Sequence, residues 1–173
     1  SMGLGDAPDM PVNTATEPNY PTFLFNAMIH PLVDYAIRGA IWYQGEANVA
    51  RAAQYRDLLP LMIHDWRQHW GYAFPFYIVQ LPNYMKAQEG PEESEWAELR
   101  EAQKHALRLE NTGLAVCIDV GDGDDLHPKN KPAVGRRLSL VARALTYGEQ
   151  IPYSGPVYEG YRIEGNTIRI DFS

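Results

Sequence analysis

Three short apolar runs, each bounded by turn residues and each followed by a stretch with helical spacing, restrict this chain more than any other feature. They are GAIWYQG (residues 39–45), FPFYIVQL (74–81) and GLAVCIDV (113–120). Hydrophobicity that is continuous rather than alternating marks strands covered on both faces. After the first run, Tyr55, Leu58, Leu59, Met62, Ile63, Trp66 and Trp70 share one helix face between Ala52 and Trp70, with Gly71 as the stop. Pro60 inside that stretch predicts a bend or a break. Ser94 stands where an N-cap should, ahead of Trp96, Leu99, Gln103, Ala106 and Leu107 on one side of a second helix. Lys131–Tyr147 places Val134, Leu138, Val141 and Leu145 in register for a third, closed by Gly148. Strand and helix alternating three times predicts an α/β fold: a three-layer α/β/α sandwich around a mostly parallel sheet.

The flanks differ from this body. Residues 1–22 are rich in Pro, Asn, Thr and Gly and read as an irregular lead-in. Leu24, Met28 and Leu32 have helical spacing until Pro31 interrupts it. The body runs over 23–150. From 151 to 173 the pattern changes: VYEGYRIEGNTIRIDFS alternates around EGN like a hairpin and reads as the start of a β-rich domain.

Bulk properties exclude several classes of function. A net charge of −7 without any basic run argues against a nucleic-acid surface. No apolar stretch is long enough to span a membrane. The single cysteine, Cys117, lies within an apolar run, so a disulfide framework is excluded and a buried thiol is expected.

In open parallel sheets, sites form where strands deliver their carboxyl ends. Two loops leave at that edge, YQGEANVAR (43–51) and the aspartate-rich GDGDDLHPKNK (121–131), and both are more polar than a turn requires. The second holds His127 among Asp122, Asp124 and Asp125, with Asp119 just upstream. Asp119 and Asp122 read as strand-end and turn residues that cap backbone N–H groups. A calcium loop of the EF-hand type would need a glutamate near its end, and none occurs before Glu149. His30, His64, His69 and His105 fall at helical positions and read as surface or boundary residues.

The segments GAIWYQGEANV, YRDLLPLMIHDWRQHWG, FPFYIVQLPNY, LREAQ, NTGLAVCIDVGD, DLHPKNKPAVGRRLSLVARALTYG and YSGPVYEG together resemble the sialate O-acetylesterase family, which belongs to the SGNH/GDSL-type hydrolases. The resemblance covers the chain from about Phe23 onward, and WYQGE and DLHPKNK are its most specific pieces. It implies an SGNH-like fold, incomplete here, and an esterase that removes O-acetyl groups from sialic acid or another acetylated glycan. It implies no cofactor and no metal, and an exported protein in the periplasm or outside the cell.

Carried over by position, the resemblance makes His127 the general base. Imidazole suits that role because its ordinary pKa near 6.5 lets it accept and return a proton at neutrality. A carboxylate on its other nitrogen would fix the tautomer. Asp124 has the D-x-x-H spacing of the wider superfamily, whereas Asp125 is the position that recurs in DIHP-like motifs, and the reading favours Asp125. Gln44 and Gly45 would donate a side-chain amide and a backbone N–H to the oxyanion. Glu46 would support their loop through hydrogen bonds.

The family's nucleophilic serine sits in a Gly-Gln-Ser-Asn-Met-like turn that this sequence does not contain. Its serines are Ser1, Ser94, Ser139, Ser154 and Ser173, and none has a small-residue turn around it. The expectation is therefore a C-terminal part of a hydrolase domain, inactive alone, with an open sheet edge that a missing N-terminal segment or a second copy completes. Two other functions fit the sequence: a catalytically dead carbohydrate-binding module, or a metal-dependent hydrolase using the aspartates with His127.

Overall fold

The structure is a computed structural model that describes residues 22–86, 89–90 and 92–173. The chain divides into two units, Ser1–Ile37 and Arg38–Ser173. Nearly all of the expected lead-in lies outside the described residues. Within the first unit, a π-helical turn, Phe25–Ile29, passes directly into a three-ten turn, His30–Leu32. Pro31 sits at the start of the tighter turn, where its missing N–H costs nothing.

The second unit is built on a parallel sheet of β1 (Ala40–Trp42), β2 (Phe76–Val79) and β3 (Thr112–Ala115), in that order. Ala40 pairs with Phe76, and Phe76 with Thr112, so the strands run in register with their carboxyl ends at one rim. Every residue of β2 is buried. Successive side chains point to opposite faces, which explains why its sequence shows no alternation.

On one face, Phe76 meets Trp42 of β1 and Trp66 of α1 (Ala52–Trp70) at ring-centroid distances of 6.3 and 6.2 Å. Helix α2 (Glu95–His105) lies beside α1 and buries Trp96, Leu99, Ala102 and Gln103. Ser94 caps it as expected, accepting from the Ala97 N–H at 3.3 Å. On the other face, helix α3 (Lys131–Leu145) covers Tyr77 and Val79. Val79, Ala115, Cys117, Val120 and Val134 form the core there. Helices on both faces of a parallel sheet give the α/β architecture that the sequence predicts.

Several boundaries differ from expectation for physical reasons. Helix α1 runs unbroken through Pro60, which is buried. The ring removes one N–H, and packing of the surrounding turns against the sheet and α2 holds the helix together. Strand β1 is only three residues long because Gln44 and Gly45 turn away into a three-ten turn, Glu46–Arg51. β1 and β3 are the sheet's two edges, and Ile41 on β1 is 71% exposed. Beyond β3 the third apolar run leaves the strand ladder, and Val116 and Ile118 are exposed.

The final segment is an antiparallel hairpin, β4 (Tyr158–Glu164) and β5 (Thr167–Phe172). Tyr161 faces Ile170 and Ile163 faces Ile168, while Arg162 faces Arg169 on the alternate face. Arg162 pairs with Glu164 and Asp171, and Arg169 with Glu164. Among the described residues, no helix is long and apolar enough to cross a membrane.

Candidate active site

Parallel register brings the two polar loops to the same rim. Neighbouring strands lie about 4.8 Å apart, so the exits of β1 and β3 are about 10 Å apart across β2. Gln44 leaves β1 and His127 follows β3, and side chains tie the two loops together. The Lys131 ammonium stands 4.6 Å from the centroid of the Tyr43 ring. That contact joins the residue before Gln44 to the helix that begins four residues after His127. Between them, the Asn83 side chain, just past β2, accepts from the Gly121 N–H at 2.8 Å. The Asn83 N–H in turn donates to the Ile118 carbonyl at 3.2 Å. Gly121 has to be glycine, because a Cβ would collide with the Asn83 carbonyl oxygen.

The His127 loop is shaped by its own aspartates. Asp122 accepts from the Asp124 N–H at 3.0 Å, the turn-forming role expected of it. Asp119 accepts from its own backbone N–H and also forms a two-pronged ion pair with Arg137 of α3, one N–H···O distance being 2.7 Å. The guanidinium holds the Asp119 carboxyl down at about 2, and Arg137 also donates to the Val116 carbonyl at 2.8 Å. The root of the loop is thus clamped to the helix that follows it.

Asp125 accepts from the His127 backbone N–H at 2.9 Å, and its other oxygen lies 3.7 Å from the Lys129 ammonium. That backbone bond, followed by the nearby lysine, lowers the Asp125 carboxyl below its ordinary range. His127 Nδ1 is 3.8 Å from Asp125 Oδ1, and the imidazole is 86% exposed. Closing by about one ångström would convert this proximity into a hydrogen bond. No contact joins Asp124 to the ring among the described residues. Nor do three His, Cys, Asp or Glu side chains there gather as they would around a metal ion.

Gln44 is held more tightly. Its side-chain Nε2 donates to Asn48 Oδ1 at 2.8 Å, and its Oε1 accepts from the Tyr55 hydroxyl at 3.0 Å. Its carbonyl accepts from Tyr55 at 3.2 Å and from Gln103 Nε2 at 3.1 Å. Gly45 is buried against Leu99, with φ +156°, and a Cβ there would come within 2.9 Å of that leucine. The support expected from Glu46 comes from Tyr55, Asn48 and Gln103 instead. Glu46 opens the three-ten turn, and its charge helps to raise the Tyr55 hydroxyl after burial, the larger cause.

Tyr43 carries an unusual burden. Its hydroxyl is buried and finds no hydrogen-bond partner among the described residues. Burial first, then the nearby Cys117 and Glu46, push it up to about 12. Tyr43→Phe is therefore expected to match or exceed the parent's stability at pH 7, by up to about 1–3 kcal/mol, because an unsatisfied buried hydroxyl disappears. The alkaline sign follows from the raised folded-state value. Stability is whole below the unfolded tyrosine value near 10 and falls as pH rises from there towards 12. Urea melts at pH 7, 10 and 11.5 should show a smaller alkaline loss in the variant than in the parent. An equal loss would show that Tyr43 is not the titrating group.

No motif in the sequence marks Tyr55, Asn48 or Gln103 as site residues. One signal was available for Gln103: a fully polar side chain placed on the inward face of α2.

The family model described as carbohydrate esterase, sialic acid-specific acetylesterase, matches residues 15–143. Sialate O-acetylesterase of Mus musculus is 36% identical over 86% of this chain, and that of Homo sapiens 34% over 92%. The chain spans 31% and 34% of those relatives' lengths. The crystal structure of a carbohydrate acetylesterase from Xanthomonas citri aligns with TM-score 0.83 at 44% identity, covering 89% of this chain and 36% of that one. With the rim loops and the three-layer fold in hand, the match assigns this chain to the carbohydrate esterase family of sialic acid-specific acetylesterases.

Proposed function

We propose that this chain supplies the histidine and oxyanion side of an esterase site that releases acetate from O-acetylated carbohydrate. His127 takes the proton of a serine hydroxyl as that oxygen attacks the acetyl carbonyl. The negative charge that forms on the carbonyl oxygen is met by the Gln44 amide and the Gly45 N–H. The imidazolium then gives its proton to the departing sugar oxygen, leaving an acetyl-serine. Water repeats the sequence, and acetate leaves. Asp125 closes on Nδ1 and stabilises the imidazolium, as apo geometries often tighten only with substrate bound. A single oxyanion donor is worth roughly 3 kcal/mol of barrier in this chemistry.

The observation that carries the reading is the shared rim, where Lys131 and Tyr43 tie the Gln44 loop to the segment following His127. The serine comes from polypeptide outside this sequence, which also pairs with the open edge of β1, and the chain alone is inactive. A second copy is the other candidate for that edge. Family membership favours an exported setting.

The test compares this chain with a version extended upstream to include a serine-bearing turn. Acetate release is measured from acetylated sialic acid, acetylated xylan and an aryl acetate, with and without chelator. Release by the extended protein only, undiminished by chelator, is expected. Glycan binding without turnover by the extended protein would instead identify a recognition module. Chelator-sensitive turnover would move the chemistry to a metal. Hydrolysis by the short chain, lost in His127→Ala, would mean that one of its own serines is the nucleophile.

A further inference from the structure

The Gln44 side chain can present either its oxygen or its nitrogen to a substrate, and only the nitrogen can stabilise an oxyanion. The surrounding hydrogen bonds decide which. The Trp42 indole is a donor only, and it donates to the Tyr55 hydroxyl oxygen at 3.2 Å. Tyr55 has one proton, which is thereby directed at Gln44, shared between Oε1 at 3.0 Å and the backbone carbonyl at 3.2 Å. With Oε1 drawn to Tyr55, Nε2 points the other way. One of its two hydrogens goes to Asn48, and the second remains available.

The same logic runs from α2. The Leu81 N–H is also a pure donor and takes Gln103 Oε1 at 2.9 Å. Gln103 Nε2 is then left to donate to the Val79 and Gln44 carbonyls at 3.3 and 3.1 Å. Gln103 is wholly buried, so water offers it no alternative partner. Because the peptide unit is planar and trans, a Gln44 carbonyl fixed by Tyr55 and Gln103 aims the Gly45 N–H in the opposite direction.

We infer that Tyr55 and Gln103 are positioning residues: their hydrogen bonds set the polarity of the Gln44 amide and of the Gln44–Gly45 peptide, so that both present N–H groups. This rests on the oxyanion role given to Gln44 and Gly45 above. Neither residue touches the reacting atoms.

The decisive readout is spectroscopic and needs no activity. In the 173-residue chain, the Gln44 side-chain NH₂ pair and the Gly45 amide are followed by ¹⁵N-resolved NMR. Tyr55→Phe is expected to bring the Gln44 pair towards the shifts and fast exchange of exposed glutamines. Gln103→Met is expected to move the Gly45 amide. Tyr77→Phe removes a hydroxyl bonded to Thr146 beside α3 and should disturb neither signal. If Tyr55→Phe does not fold, Asn48→Ala and Trp42→Phe probe the same chain of bonds from its two ends. Unchanged Gln44 and Gly45 signals in the folded variants would overturn the inference.

A kinetic arm separates this from the functional reading. In the extended protein, Tyr55→Phe should lower kcat about tenfold with KM within twofold, and adding it to Gln44→Ala should cost nothing more. Additive losses would overturn positioning through Gln44. If the NMR signals move as expected but Gln44→Ala leaves turnover intact, the positioning stands and the oxyanion role falls.

Discussion

His127→Ala in the extended, serine-bearing protein is expected to reduce acetate release by roughly 10³-fold or more, with no change in melting temperature beyond error. The imidazole is 86% exposed, so its removal should alter stability by no more than about 0.5 kcal/mol. Loss of turnover without loss of fold is what distinguishes a proton carrier from a structural side chain. Acetate release and a thermal melt on the same preparation check both halves. Turnover within tenfold of the parent would remove His127 from the mechanism.

Phe76→Ala should do the reverse. Phe76 is wholly buried in the central strand and contacts Trp42, Trp66 and Phe74. Truncating it leaves a cavity where three aromatic rings converge, costing about 3–5 kcal/mol. For a chain of this size that is a fall of roughly 6–20 °C in melting temperature. Scanning calorimetry on the 173-residue chain measures it directly. A fall of less than about 3 °C would mean that the neighbouring rings collapse into the space, and that this cluster contributes less than its burial suggests.

These two residues also mark what could be read from the sequence. Phe76 lies in a run whose unbroken hydrophobicity has one explanation, burial on both faces, so the central strand was legible. The edges were less so. GAIWYQG looks like seven strand residues, but the last ones serve the turn into Glu46–Arg51, and the ladder stops at Trp42. Leu58, Leu107 and Leu145 have the spacing of inward faces yet stand exposed, because periodicity fixes the direction of a face and not its width. Pro60 suggested a bend or a break, and α1 continues through it without a break because tertiary packing outweighs the one lost bond.

At the candidate site, Gln44 and His127 were legible because short motifs carry them. Their supports were not. Tyr55 and Gln103 reach Gln44 from 11 and 59 residues away; Tyr55 reads locally as an ordinary helix residue, and Gln103 betrays itself only as a polar side chain on an inward face. Arg137 likewise looks like a surface cation on α3 until Asp119 is placed beside it. A hydrogen-bond partner chosen by tertiary approach leaves no periodic trace.

The bonds that orient Gln44 originate in β1 and in two packed helices, α1 and α2. The His127 loop hangs instead on Asn83 and on the Asp119–Arg137 pair. The two halves of the rim thus have separate anchors, so a substitution at Tyr55 or Gln103 bears first on Gln44, and one at Asn83 or Arg137 on the histidine loop.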